Sequence, residues 1–258
     1  MRIILFDTET TGNGEGDRLC QMAMKERGIE APIVNALYQP PVHISFESMA
    51  VHHITAKMVA DRPIFAASSE FPRLKTLFES PEKVLVAHNA AFDTAMLARE
   101  GIVAPRAICT LKVARALDPE DTIPNYRLQF LRYFLGLDVE AVAHDAWGDC
   151  LVLEALFERL LAKLQEKKKG EGKSGEKAAL DEMFEISSRP SLITTFRFGK
   201  HNGRKVAEIA RDDPKYLEWL LAQKKQNPLE EEDWIYTLEQ YVGNGQQRLP
   251  IGGRMHLG

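Results

Sequence analysis

Asp7 and Glu9 are the first residues whose types and spacing suggest chemistry: a short apolar β-type run, Arg2 to Phe6, leads straight into two carboxylates two positions apart. On an extended strand, side chains at i and i+2 share a face, so the two acids converge on one spot with Cα atoms about 6–7 Å apart. Like charges this close are costly without a cation between them, and an all-oxygen donor set suits Mg²⁺ or Mn²⁺. Two further groups fit the same place. Asp93 falls in the first turn expected for the helix that follows the buried stretch KVLVA and the pair His88-Asn89, and there it points back toward the strand ends. His144 and Asp149, in HDAWGD, would lie about 140° apart on a single helix. They meet only if His144 precedes the helix, Asp145 caps it and Asp149 sits in its first turn. An imidazole, whose ordinary pKa is about 6.5, then stands beside a metal-binding carboxylate.

Holding these groups together requires alternating strands and helices. Hydrophobic patterning predicts strands at 2–6, 19–24, 33–38 and 83–87, and helices at 65–79, 90–100 (ended by Gly101), 111–117 and 126–135 (closed by Gly136). The most regular helix covers 146–166, where Val152, Leu153, Leu156, Phe157, Leu160, Leu161 and Leu164 form one stripe. This order of elements is that of an α/β domain.

From residue 166 to 177 the chain reads EKKKGEGKSGEK, with no apolar residue, which predicts a flexible linker taken here as 166–188. A small α+β module is expected over 189–242, with a two-residue hairpin turn at Asn202-Gly203 and a helix from Pro214 to about Gln226. Residues 243–258 have little to fold around and are expected to be disordered.

The 258 residues, 45% hydrophobic, suffice for a full-sized domain and a smaller module. A net charge of −4 argues against a uniformly basic nucleic-acid binder. The segment 189–225 is nevertheless basic, with nine Lys/Arg against four acids. Three scattered cysteines suggest neither a disulfide framework nor a thiolate zinc site. The hydrophobic run at the N-terminus is too short for a signal peptide and no membrane span follows, so a cytoplasmic location is expected. Neither H-E-x-x-H nor G-x-x-x-x-G-K-[ST] occurs, which disfavours a metalloprotease or a P-loop enzyme.

The series FDTET (Phe6 to Thr10), AHNAAFD (Ala87 to Asp93), YRLQFLRYFLGL (Tyr126 to Leu137) and HDAWGD (His144 to Asp149) resembles the DEDDh 3′-5′ exonuclease family, in order and in spacing, over residues 1–165. AVHHIT (Ala50 to Thr55) and CTLKVAR (Cys109 to Arg115) continue the likeness. The run TTFRFGKHNGRKV (Thr194 to Val206) is similar to the C-terminal module of bacterial exodeoxyribonucleases of the X type.

The resemblance implies a ribonuclease H-like mixed sheet flanked by helices. It also implies two Mg²⁺ or Mn²⁺ ions, with Asp7 bridging them, Glu9 and Asp149 completing the set of ligands to the first ion and Asp93 holding the second ion. His144 would be the general base. Thr8, Thr10, His52, Ile54, Asn89 and Phe92 would line the substrate site, and Arg197, Lys200, Arg204 and Lys205 would contact nucleic acid. The implied reaction is hydrolysis of the terminal phosphodiester of DNA, single-stranded or with a free 3′ end, releasing 5′-mononucleotides in repair or end processing.

An RNA-trimming exonuclease and a proofreading-type polymerase subunit remain alternatives within the family, and a non-catalytic nucleic-acid adaptor is the alternative outside it. Two positions depart from the family pattern. Gln21 and Cys109 stand where an acid is frequent, and neither is one of the four metal-binding carboxylates.

Overall fold

The computed structural model describes residues 2–172, 175–226 and 231–242. The chain divides into two compact units between Arg189 and Pro190. In the first unit, β1 (Arg2–Thr10), β2 (Leu19–Glu26) and β3 (Pro32–Leu37) form an antiparallel meander. Helices α1 (Phe46–His52) and α2 (Ala56–Val59), a 3-10 turn at Phe65–Ala67 and helix α3 (Phe71–Glu79) lead back to β4 (Lys83–Ala87), which pairs parallel to β1. Helix α4 (Ala90–Arg99) connects it to β5 (Ala107–Cys109), and the strand order is β3-β2-β1-β4-β5. Helices α5 (Thr110–Ala116), α6 (Leu128–Phe134), α7 (Ala146–Gly170) and α8 (Glu176–Ser187) complete the unit. This is the mixed, helix-flanked sheet of a ribonuclease H-like fold.

The central strand is covered on both faces, and its alternation sorts the side chains into two cores. Ile3 and Leu5 join a cluster with Val152, Leu156, Leu160 and Leu131. Ile4 and Phe6 join another with Leu74, Phe78, Met96 and Leu97. Carried forward, the odd positions become Asp7 and Glu9 and the even ones Thr8 and Thr10, so the strand delivers two acids to one face and two threonines to the other.

Helix α7 lies along β2 on the acidic face. The antiparallel register sets Glu9 opposite Gln21 and Asp7 opposite Ala23. Gln21 bonds to Asp145 and Ala146, the Ala23 carbonyl accepts from Cys150 Sγ at 3.4 Å, Lys25 pairs with Glu154, and Arg27 pairs with Glu158. Every second residue from Gln21 to Arg27, the last just past the strand's end, thus meets every fourth of the helix. Two strand residues advance about 6.6–6.8 Å and four helical residues about 6.0 Å, close enough for several successive rungs to meet.

The expected linker over 166–188 is corrected by the structure. Helix α7 continues to Gly170, and α8 occupies most of the remainder. Ala179, Leu180 and Met183 fall on one helical face and are buried in the core with α7, while the backbone N–H of Cys109 donates to Ser187 Oγ at 2.8 Å. The Lys/Gly-rich run covers the mostly exposed end of α7 and the exposed start of α8. The expected helix 65–79 is likewise a 3-10 turn followed by α3.

The second unit consists of α9 (Val206–Asp212), α10 (Pro214–Lys224) and α11 (Glu232–Glu239) around Phe196, Val206, Ile209, Leu217, Leu220 and Leu238. Its β content, among the described residues, is one antiparallel bridge, Thr195 to Lys205, so the expected α+β module is chiefly helical. The anticipated two-residue hairpin turn at Asn202-Gly203 is instead a longer loop. A 3-10 turn occupies Gly199–His201, and Gly203, at φ 85°, donates to the Phe196 carbonyl at 2.7 Å. The expected disordered tail, 243–258, lies outside the described residues. Among the described residues no helix is long and apolar enough to cross a membrane.

Candidate metal centre and active site

Carboxylate oxygens of Asp7, Glu9 and Asp149 lie within 4.8 Å of one another. Strand alternation supplies the first two. The third comes from the first turn of α7, whose N-cap Asp145 accepts from the backbone N–H of Gly148 at 3.2 Å. Helix α7 starts abruptly because Gly148 has no Cβ: one placed there would stand 1.9 Å from the Val142 carbonyl oxygen. The loop therefore lies directly on the helix. His144 ends that loop in the left-handed region, at φ 58°, and its side chain is exposed. Its charge and its backbone N–H both lower the proton affinity of Asp149.

Asp93 approaches from the other face. Asn89, at φ 63° and ψ 47°, turns the chain sharply from β4 into α4 and sets Asp93 in the first turn. Thr8 Oγ1 donates to Asp93 Oδ1 at 2.7 Å in a setting where Asp93 is only 3% exposed. Asp149 is held by α6, where the Gln129 amide donates to Oδ1 and Arg132 supports Gln129 Oε1 at 3.3 Å.

Crowding four acids here moves their proton affinities upward. Asp7 lies well above the carboxylate range, through burial first and then the charges of Asp93, Glu9, Asp149 and Asp145. Glu9 is pushed up to about 8 by burial and by Asp149, Asp93 and Asp145. Burial raises Asp93 to about 7 against the opposing hydrogen bonds from Thr8 and its own backbone. Asp149 is also raised by burial, while the Gln129 amide and His144 oppose the shift. A polyanion whose charged state is unfavourable without a counter-charge is a fitting receptor for a hard divalent cation, and its donors are all carboxylate oxygens.

The residues expected to face substrate divide. Thr8 is bound to Asp93, and Thr10 donates to the Gly12 carbonyl at 2.9 Å. His52 is buried: Nδ1 accepts from the Ile54 N–H at 3.0 Å, and Nε2 faces the Thr10 carbonyl at 3.1 Å. Ile54 is packed with Cys20, Ile44 and Val59. The side chains of these four are buried and shape the end of β1 from inside. Asn89 is exposed, and Phe92 is half-buried against the α3–α4 core.

In the second unit, Lys200 pairs with Asp213 at 2.7 Å and lies over the Tyr216 ring, and Arg204 pairs with Asp212. Arg197 is half-buried and Lys205 exposed. Phe196 is buried in the core of this unit, whereas Trp219 is 54% exposed.

Gln21, Gln129 and Gly148 were not foreseen as contributors. Gln129 stands within a recognised motif, but its contact with Asp149 depends on tertiary packing. Gly148 offers a clearer signal, since a glycine directly before an acid in a helix's first turn suggests close approach of another backbone.

A mixed sheet with an acidic cluster at the end of its central strand is an arrangement that could hold a metal ion, as nuclease chemistry requires. The chain belongs to the exonuclease family, whose model, described as Exonuclease, matches residues 4–157. Its nearer affinity is narrower: a second model, Exodeoxyribonuclease X-like C-terminal, matches residues 196–225. The chain is 35% identical over 223 residues to Exodeoxyribonuclease 10 of Escherichia coli (strain K12), covering 84% of this chain and 89% of that protein. It is 33% identical over 168 residues to DNA polymerase III subunit epsilon of Treponema pallidum (strain Nichols), covering 61% of this chain and 75% of that one.

A solved structure of exonuclease X in complex with 5′ overhanging duplex DNA is similar at a TM-score of 0.52 and 28% identity, over 72% of this chain and 99% of that chain. Exonuclease I, at 22% identity, shares the fold at a TM-score of 0.55 over 64% of this chain and 42% of its own. Exonucleases of this family are metal-dependent, in keeping with the donor set at Asp7, Glu9 and Asp149.

Proposed function

We propose that this chain removes 5′-mononucleotides from the 3′ end of DNA, using two Mg²⁺ or Mn²⁺ ions. The observation that carries the reading is the meeting of Asp7, Glu9 and Asp149 oxygens within 4.8 Å, with Asp93 held beside them by Thr8. Asp7, Glu9 and Asp149, with Asp93 beside them, are the residues that would hold the cations. Bound divalent cations supply Lewis acidity toward the phosphoryl oxygens and stabilise the departing 3′-oxygen.

The protein's own residues do the rest. His144, exposed at the mouth of the site, receives the proton of the attacking water on a ring nitrogen. Gln129 keeps Asp149 oriented. DNA as substrate is supported by the likeness to Exodeoxyribonuclease 10 across both units. Arg197, Lys200, Arg204 and Lys205 are proposed to hold the strand on the second unit, and its exposed Trp219 offers a stacking surface. A cytoplasmic location accords with three buried cysteines that form no disulfide.

The test is digestion of single-stranded DNA, duplex DNA and RNA, each labelled separately at its 3′ and 5′ ends, with Mg²⁺ or Mn²⁺. Stepwise loss from the 3′ end of DNA that vanishes in Asp7→Ala is expected. Faster loss from RNA moves the assignment to RNA trimming. Binding without cleavage under either metal overturns it in favour of a non-catalytic adaptor.

A further inference from the structure

Gln21 lies opposite Glu9 in the β1–β2 ladder, and its side chain is buried. Both ends of its amide are engaged. Nε2 donates to Asp145 Oδ1 at 2.7 Å, and Oε1 accepts the backbone N–H of Ala146 at 3.2 Å. The other oxygen of Asp145 accepts from Gly148 N–H at 3.2 Å. Asp145 is therefore gripped by the strand through one oxygen and by its own helix through the other. His144 directly precedes it, and Asp149 closes the same turn.

We propose that Gln21 is a positioning residue for hydrolysis, its amide fixing the first turn of α7 so that His144 is held in register with the acids of β1. The inference rests on the role given above to His144. His144 occupies a backbone region that non-glycine residues keep only when their surroundings hold them there, and the Gln21–Asp145 bond is such a hold. The chemistry of the amide is specific. One donor and one acceptor are required at adjacent atoms, and a neutral amide supplies both. An ionised carboxylate accepts from Ala146 but has nothing to donate to Asp145. Asp149 has a separate anchor in Gln129 on α6, so loss of Gln21 loosens the base more than the metal ligand.

The experiment uses the full chain with Gln21→Met, which removes donor and acceptor at similar volume, and Gln21→Glu, which restores the donor only when protonated. For Gln21→Met the expected result is a kcat lowered about 10- to 100-fold, with KM for DNA and the half-saturating Mg²⁺ concentration within about twofold of wild type. For Gln21→Glu, the ratio of its rate to the wild-type rate rises toward one as pH falls from about 8 to about 5.5, because burial against Asp145 and opposite Glu9 raises the new carboxyl above the ordinary range and its protonated form regains the donor.

A folded Gln21→Met with wild-type kcat overturns the proposal, as does a pH-independent Gln21→Glu ratio. Should Gln21→Met fail to fold, the Gln21→Glu ratio decides. Should the wild type not cleave at all, the nuclease reading fails separately. The ring NMR signals of His144, assigned with His144→Asn, then report on the hold itself: a shift or broadening in Gln21→Glu near pH 8 is expected, and unchanged signals overturn it.

Discussion

Thr8 on β1 donates its hydroxyl to Asp93 Oδ1 at 2.7 Å, joining residues 85 positions apart at the end of the sheet. Thr8→Val keeps the shape of the side chain and removes the donor. A hydrogen bond to a charged group contributes about 1.5–3 kcal/mol, so activity at limiting metal should fall about 10- to 100-fold and recover in part at high Mg²⁺. Mg²⁺ titration of the initial rate checks this. A raised KM for DNA with an unchanged metal requirement would instead assign Thr8 to substrate.

Asp7 is the acid most crowded by its neighbours, with Asp93, Glu9, Asp149 and Asp145 all opposing its charge. Asp7→Asn should abolish cleavage by at least about a thousandfold, equivalent to the several kcal/mol that metal Lewis acidity supplies. The same change should stabilise the metal-free protein, raising Tm by about 2–4 °C for each kcal/mol of repulsion removed. Thermal melts in chelator, beside cleavage assays, test the opposed signs.

Glu9 and Asp93 titrate at about 8 and about 7 in the folded protein, against 4.5 and 3.8 ordinarily. The folded state thus binds these protons more tightly than the unfolded state. Metal-free stability should be greatest in mild acid and decline as pH climbs from about 4 to about 8. Cation binding replaces the protons, so Mg²⁺ should raise Tm more at about pH 8 than at about pH 5 and release protons. Calorimetry in buffers of different ionisation enthalpy measures that release; none at about pH 6 would contradict the shifts.

Gly148→Ala places a methyl group 1.9 Å from the Val142 carbonyl oxygen. Both are backbone-fixed, so either the loop or the helix start must move. Overpacking of this kind costs about 1–3 kcal/mol, and the displaced loop carries His144. Lower Tm and loss of most activity are expected together, and retention of wild-type kcat would show that the loop can shift without disturbing the base.

The catalytic half of this architecture was legible because its signals are local. KVLVA matched β4 residue for residue, and the D-x-E spacing at the end of β1 required the two acids to share a face. The reasoning that His144 must precede the helix was met by its φ of 58° and by the cap at Asp145. Gln21 and Gln129 could not be read, since which strand or helix faces an amide is fixed by register and packing. Helix α8 was missed for a different reason: the polar composition of 166–177 overshadowed Ala179, Leu180, Met183 and Phe184 immediately after it.

Leu180 is buried in the core shared with α7, so Leu180→Ala should cost about 2–5 kcal/mol, whereas a solvated linker would tolerate it within about 0.5 kcal/mol. Denaturant unfolding of the full chain distinguishes the two.

The contact between α7 and β2 also sorts slack. Strand and helix advance unequally, by about 0.7 Å per rung, and the mismatch must accumulate somewhere. Short groups, the Gln21 amide and the Ala23–Cys150 contact, set the zero of this vernier beside the acids. The side chains of Lys25, Arg27, Glu154 and Glu158, at the far end, are long and flexible enough to absorb the difference. Drift in sequence at that end alters how firmly the helix is clasped, while alignment at the chemical end keeps its origin.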